Sequence, residues 1–192
     1  MTSANFSVCI DACVLANHSV CDLLLRLAEE PRLYTPIFSR EILAEANRVH
    51  VTKLDWRQEL ANYFDTEITR QFPTSIIEGY EPIMAGLTND EGDRHVLAAA
   101  IKGGAQLILT FNLKHFRDEH LSPWDIRASH PQDYLLVLYE LRPEIVIAKL
   151  YDIANQKQER VQDRLSKLSK TLPRFTGRVA EDQNWSIQRP TL

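Results

Sequence analysis

The sequence predicts an α/β domain with a central parallel sheet and helices on both faces, followed by a helical C-terminal extension. Three observations predict it. Phe6 to Ile10 is a short apolar run of β-formers that stops directly at Asp11. Gln106 to Phe111 is a second such run, and Asn112 follows at once; short apolar runs with polar ends read as buried strands. Between them, Arg94 to Lys102 carries Val96-Leu97-Ala98-Ala99-Ala100-Ile101 and is apolar nearly all round, as a sandwiched helix must be. Strand, helix, helix, strand in this order is the pattern of a parallel sheet with crossover helices.

The other elements follow in order. Ala12 to Ala28 has helical spacing, with Val14, Cys21, Leu24, Leu25 and Ala28 near one face, and Pro31 stops it. Tyr34 to Phe38 is a brief apolar stretch, and Ser39 is placed to cap a helix running to about His50. Asp55 to Gln71 predicts a further helix, since Leu60, Phe64 and Ile68 recur at every fourth position. Phe72 to Gly86 contains Pro73, Gly79 and Pro82 and is irregular, with a short strand around Ile76-Ile77. Asn89 to Asp93 opens the apolar helix, and Gly103-Gly104 ends it. After Pro123 the pattern becomes helical: Gln132 to Leu141, Glu144 to Asn155 started by Pro143, and a charged helix from about Lys157 to Leu172. Pro173 to Leu192 is polar and reads as loosely ordered. The expected division is residues 1–140 as the α/β domain and 141–192 as the extension and tail.

Composition excludes several classes. With 44% hydrophobic residues in 192, the chain has enough apolar material for a core. Its 22 Lys+Arg against 26 Asp+Glu argue against binding nucleic acid by bulk positive charge. They leave room for an enzyme whose acidic site recruits a metal before it meets a polyanion. No run approaches the roughly 18 to 20 apolar residues that a spanning helix needs, so no membrane association is expected. Met1-Thr2-Ser3-Ala4-Asn5 lacks the basic start of a signal peptide. Cys9, Cys13 and Cys21 form no CxxC and read as reduced thiols, so the expected location is cytoplasmic.

Three carboxylates stand out by position. Asp11 follows the first strand, Asp93 begins the apolar helix, and Glu45 lies in the helix after Ser39. Ligands in open α/β sheets sit outside the carboxyl ends of strands, where Asp11 and Asn112 fall. Each acid alone has an ordinary reading. Asp11, Asp90 and Asp93 suit helix caps or first turns. Glu45 borders an apolar stripe with Ile42 and Val49, and a pair with Arg48 would account for it. Gathered in one crevice they would repel, unless a cation joins them. Oxygen-only ligands suit Mg²⁺ or Mn²⁺.

Four segments carry a resemblance. Val8-Cys9-Ile10-Asp11-Ala12-Cys13-Val14-Leu15, Ser39-Arg40-Glu41-Ile42-Leu43-Ala44-Glu45, Asp93-Arg94-His95-Val96-Leu97-Ala98-Ala99-Ala100 and Thr110-Phe111-Asn112-Leu113-Lys114-His115-Phe116 resemble the four motifs of PIN-domain proteins, in the family's order, over roughly residues 6 to 140. The branch that looks most similar is the VapC-like toxins of bacterial toxin–antitoxin pairs. The resemblance implies a Rossmann-like three-layer α/β/α fold and Mg²⁺- or Mn²⁺-dependent endoribonuclease activity on RNA. It also implies a homodimer and a cognate antitoxin. It carries over Asp11, Glu45 and Asp93 as metal-site acids, Thr110 as a hydroxyl near the site, and Asn112 as the fourth position. Many PIN proteins have Asp where this chain has Asn112, and relatives with the Thr-x-Asn pattern often have an acid where this chain has His115. The fourth corner therefore lacks a carboxylate, and charge balance predicts one tightly held ion per chain.

Arg40, Arg94 and Lys114 flank these motifs and are candidates for holding phosphates. His115 and His120 have no second pair of ligands, so no zinc site is expected. The absence of GxxxxGK[ST] and Gly-x-Ser-x-Gly excludes a P-loop and a hydrolase elbow. Two other classes compete with the nuclease. One is a non-catalytic RNA-binding or scaffold module on the same fold, which Asn112 would suit. The other is a phosphoacceptor domain, which wants paired acids after strand one; Ala12 and Cys13 stand there instead.

Overall fold

The computed structural model describes residues 6–187. Along the chain the elements are β1 (Ser7–Ile10), α1 (Ala12–Leu15), α2 (His18–Ala28), β2 (Thr35–Ser39), α3 (Arg40–Lys53), α4 (Gln58–Gln71), β3 (Ile76–Ile77), α5 (Glu81–Met84), α6 (Arg94–Lys102), β4 (Leu107–Leu109), α7 (Asp118–Leu121), β5 (Arg127–Ser129), α8 (Pro131–Leu141), α9 (Pro143–Gln156), α10 (Val161–Leu168) and α11 (Pro173–Asp182). Single 3₁₀ turns cover Pro73–Ser75, Glu91–Asp93, Leu113–His115 and Ser122–Trp124.

The described residues up to Asn17, together with Tyr34–Ser129, form one compact unit. Its sheet has five parallel strands in the order β3-β2-β1-β4-β5. β1 is central: Cys9 lies opposite Ile37 of β2 and Ile108 of β4. Val8, Cys9 and Ile10 are buried, as are Leu107, Ile108 and Leu109. Such unbroken apolar runs are what a parallel strand covered on both faces requires. From β1 the chain builds outward through β2 and β3, then returns to β4 on the other side. That reversal opens a crevice at the carboxyl ends of β1 and β4.

Two helices frame this crevice. α3 starts where expected, because Ser39 Oγ accepts the Ile42 backbone N–H at 3.1 Å. α6 packs against β1, β2, β4 and α3, and His95 to Ala100 are all buried. It ends at Gly103, where a Cβ would lie 2.9 Å from Ile37 Cγ2 and 3.0 Å from Ile77 Cγ1. Only a residue without a side chain lets the helix end sit that close to β2 and β3. Gly104 follows at φ +64, the left-handed turn that returns the chain toward β4.

His18–Leu33 and the described residues from His130 onward form the second unit. α2 packs on α9 and α10, and α8 and α10 both meet α9 and α11. Inside it, Arg164 pairs with Glu159 at 2.6 Å, both nearly buried, and Lys149 donates to the Glu30 carbonyl at 3.2 Å. The grouping is discontinuous in sequence, and the expected boundary at residue 140 falls inside α8.

Several expected elements differ. The helix expected over Ala12 to Ala28 is two, because Asn17 N–H bonds Val14 O and breaks the i→i−4 ladder. β5 was not expected: among Arg127, Ala128 and Ser129 only one residue is apolar, and the strand exists because β4 pairs with it. The tail expected to be loosely ordered contains α11, which buries Phe175, Thr176, Val179 and Ala180 behind the helix-starting Pro173. The end of that expected tail, residues 188–192, lies outside the described residues. Among the described residues no helix is long and apolar enough to cross a membrane.

Candidate functional site

Asp11 leaves β1 and enters α1, and its backbone N–H donates to the Leu109 carbonyl at 3.0 Å. That bond places it beside the end of β4. It occupies the N-cap position of α1, yet its side chain makes no capping bond. Instead its Oδ2 accepts the Thr110 hydroxyl at 2.6 Å and the Cys13 thiol at 3.0 Å. Burial and the neighbouring Asp11 charge push the Cys13 thiol up to about 12, which keeps the proton that it donates. Cys13 Sγ in turn accepts the Phe111 N–H at 3.3 Å, and Thr110 Oγ1 accepts the Asn112 N–H at 2.9 Å. Asp11 is only 3% exposed. A carboxylate this buried needs partners, and here they are Thr110, just after β4, and Cys13 of α1.

Asp93 also stands at an N-cap position, before α6, and also makes no capping bond. Its Oδ2 lies 2.8 Å from His115 Nδ1. The capping belongs to Asp90, whose Oδ1 accepts the Gly92 N–H at 3.1 Å. Asp90, Asp93 and His115 nevertheless converge, each offering an atom within 4.8 Å of the others'.

Glu45 comes from α3. His95 of α6 lies beside it, with Nε2 at 3.4 Å from Oε2; the Arg48 guanidinium contributes only a weaker attraction. Partial burial raises the Glu45 carboxyl above its ordinary range, and the Asp11 and Asp93 charges raise it further. Burial likewise raises the Asp93 carboxyl; the His115 hydrogen bond opposes this, and the Asp11 and Asp90 charges add to it. The charges of Asp11 and Asp93 thus act on Glu45, and that of Asp11 on Asp93, although the three follow β1, sit in α3 and precede α6; among the described residues their carboxylates do not converge within 4.8 Å as those of Asp90 and Asp93 do with His115.

The flanking residues divide. Asn112 is tied to Thr110 through its backbone, and its side chain is exposed at the head of the Leu113–His115 turn, which also carries Lys114. Arg94 is half-buried and donates to the Asn89 carbonyl at 3.4 Å. Arg40 is exposed, 4.0 Å from Glu78, and lines a groove of about 490 Å³ with Leu43, Ala44, Asp65, Thr66, Thr69 and Arg70. None of the three acids lines that groove. Cys13, His95 and His115 lie against Asp11, Glu45 and Asp93, and the motifs give them no role. His115 stands out in the sequence only as a departure from the family's pattern; for Cys13 and His95 the signal is proximity to the acids, which a sequence does not display.

A family model described as PIN domain matches residues 7–114, which include Asp11, Glu45, Asp93, Thr110 and Asn112. In sequence the chain is 38% identical over 109 residues to "Putative ribonuclease VapC50" of Mycobacterium tuberculosis (strain ATCC 25618 / H37Rv). The aligned stretch is 55% of this chain and 64% of that protein, so the chain spans less than two thirds of this relative's length. No solved structure matches the chain. More than half of the sequence fits the family model, and the fitted part holds the parallel strands β1 to β4 together with the acids at their carboxyl ends: the chain belongs to the PIN-domain family.

Proposed function

We propose that the chain is a divalent-metal-dependent endoribonuclease that hydrolyses RNA phosphodiesters, and that it is the toxin of a toxin–antitoxin pair. The observation that carries this reading is Asp11. It is freed from capping α1 and held by Thr110 within electrostatic reach of Glu45 and Asp93. The similarity to a protein named as a ribonuclease supports the substrate class.

The residues fit a hard divalent cation. Burial first, and then the neighbouring carboxylate charges, make Glu45 and Asp93 hold their protons more tightly than usual, and the charge part is what a bound cation would relieve. Mg²⁺ or Mn²⁺ would be held by Asp11, Glu45 and Asp93, directly or through water. Bound there, the ion lowers the pKa of water and offsets charge on the phosphodiester. Thr110 and Cys13 fix the Asp11 carboxylate by engaging Oδ2, which leaves Oδ1 as the oxygen to offer. Asn112 orients ligands or water, and Arg40, Arg94 and Lys114 hold the RNA backbone. Attack is by water, without a covalent enzyme intermediate. Residues 1–140 supply this chemistry and 141–192 extend it. The protein works in the cytoplasm as a homodimer, and its antitoxin places an Arg among the acids, satisfying them as the metal does.

The test is cleavage of RNA by the purified chain with Mn²⁺ or Mg²⁺, abolished by chelation. Asp11→Asn and Asp93→Asn should lose orders of magnitude in rate while staying folded; full cleavage by Asp93→Asn defeats the assignment. Light scattering that returns only monomer at micromolar concentration defeats the homodimer. The second reading, a non-catalytic RNA-binding or scaffold module, draws on Asn112, a neutral amide at the fourth position. It requires RNA binding and no cleavage with any divalent ion.

A further inference from the structure

We propose that His115 is a direct nitrogen ligand of the cation held at Asp93, that Asp90 completes this mixed nitrogen–oxygen seat, and that the seat prefers a first-row transition-metal ion to Mg²⁺. The proposal rests on the metal-dependent reading above and specifies its ligands. Asp90 and Asp93 bracket one 3₁₀ turn, closed by Asp93 N–H to Asp90 O at 3.0 Å. Side chains three apart on such a turn project to the same side. His115 ends a second 3₁₀ turn, closed by its N–H on Asn112 O at 2.9 Å and anchored by Phe116, which is buried. The two turns bring three donor atoms within 4.8 Å of one another. Donors on one octahedral ion are about 3 Å apart when adjacent and about 4.2 Å when opposite, so small side-chain adjustments suffice.

Asp90 uses only Oδ1 for capping, which leaves Oδ2 for an ion. Asn89, the residue before this turn, is 2% exposed, and neither its side-chain oxygen nor its nitrogen has a hydrogen-bond partner. Buried amides are rarely left so. The donor set decides the preference. Mg²⁺ favours all-oxygen coordination and keeps its waters, whereas imidazole suits first-row transition ions.

The experiment uses the full chain without RNA. Mn²⁺ is titrated into metal-free protein, pulsed electron paramagnetic resonance reads nitrogen coupling at the bound ion, and competition with Mg²⁺ gives the preference. The wild type should show imidazole ¹⁴N modulation that His115→Ala abolishes. His115→Asp should lower the preference for Mn²⁺ over Mg²⁺ about tenfold or more, the scale seen even for outer-shell partners of a metal. Asp90→Asn, which still caps, should weaken Mn²⁺ roughly tenfold. Thermal unfolding confirms that each variant is folded. Bound Mn²⁺ without nitrogen coupling, or an unchanged preference in both His115 variants, overturns the proposal and leaves the metal-dependent reading standing; His115 then only orients Asp93. Coupling that persists in His115→Ala and vanishes in His95→Phe overturns it too, in favour of the imidazole beside Glu45. A wild type that binds no Mn²⁺ overturns both.

Discussion

The Thr110 hydroxyl donates to Asp11 Oδ2 at 2.6 Å across 99 positions of sequence. It joins the residue after β4 to the residue after β1, at the point where the order of the parallel strands reverses. The same hydroxyl accepts the Asn112 N–H, so one buried side chain fixes both the first acid and the fourth-position loop.

Thr110→Val keeps the shape of this side chain and removes both bonds. It leaves a buried carboxylate oxygen short of a donor, which costs about 1–3 kcal/mol. Thr110→Ser keeps the hydroxyl and should cost much less. Denaturant unfolding of the two variants should separate them by that amount, and RNA cleavage should fall far more in Thr110→Val. Equal stability of the two would mean that the bond does not hold Asp11.

Removing the Asp93 charge should stabilise the metal-free protein in a pH-dependent way. The Asp93 and Glu45 carboxyls are raised in the folded chain. A raised carboxyl binds its proton more tightly in the folded state than in the unfolded state. That contribution favours folding below the ordinary carboxylate range and is lost as pH rises through the raised folded values. Asp93→Asn, which still offers an oxygen to His115, should therefore gain melting temperature over wild type near pH 7 and lose that advantage near pH 4. Saturating Mn²⁺ should reverse the order at pH 7 by stabilising the wild type. A difference that does not change with pH would exclude carboxylate repulsion as its cause.

Metal stoichiometry follows from charge. Three acids can offset one divalent ion, and Asn112 brings only a neutral oxygen to the exposed fourth position. Calorimetry on the RNA-free chain should give one site per chain. Asn112→Asp should strengthen Mn²⁺ binding and open a second, weaker site. Two comparable sites in the wild type would refute the charge argument.

Gly103 and Gly177 should respond oppositely to alanine. A methyl at Gly103 would press on Ile37, Ile77 and the Ala99 carbonyl, and such overpacking costs about 1–3 kcal/mol. A methyl at Gly177, inside α11, meets nothing within 4 Å and should gain up to about 1 kcal/mol of helix propensity. Chemical denaturation of the two single variants checks both signs.

Much of this was legible in the sequence. The buried strands before Asp11 and near Asn112, the Ser39 cap, the apolar helix over Arg94 to Lys102 and its glycine stop are local matters of periodicity and backbone chemistry, and each stands where expected. The edge strand Arg127–Ser129 was hidden because its neighbour β4, rather than its own residues, makes it a strand. α11 was hidden because a polar composition masked four buried positions. Sequence could name Asp11, Glu45 and Asp93, but not separate a capping carboxylate from a waiting one. Asp90, Asp11 and Asp93 all precede helices or turns, and only Asp90 caps. The other two are drawn away by Thr110 and by His115, 99 and 22 positions distant. Local chemistry determined which carboxylates were able to cap; the tertiary structure decided which do, because a carboxylate's partners are the donors and charges that folding brings within a few ångströms of it.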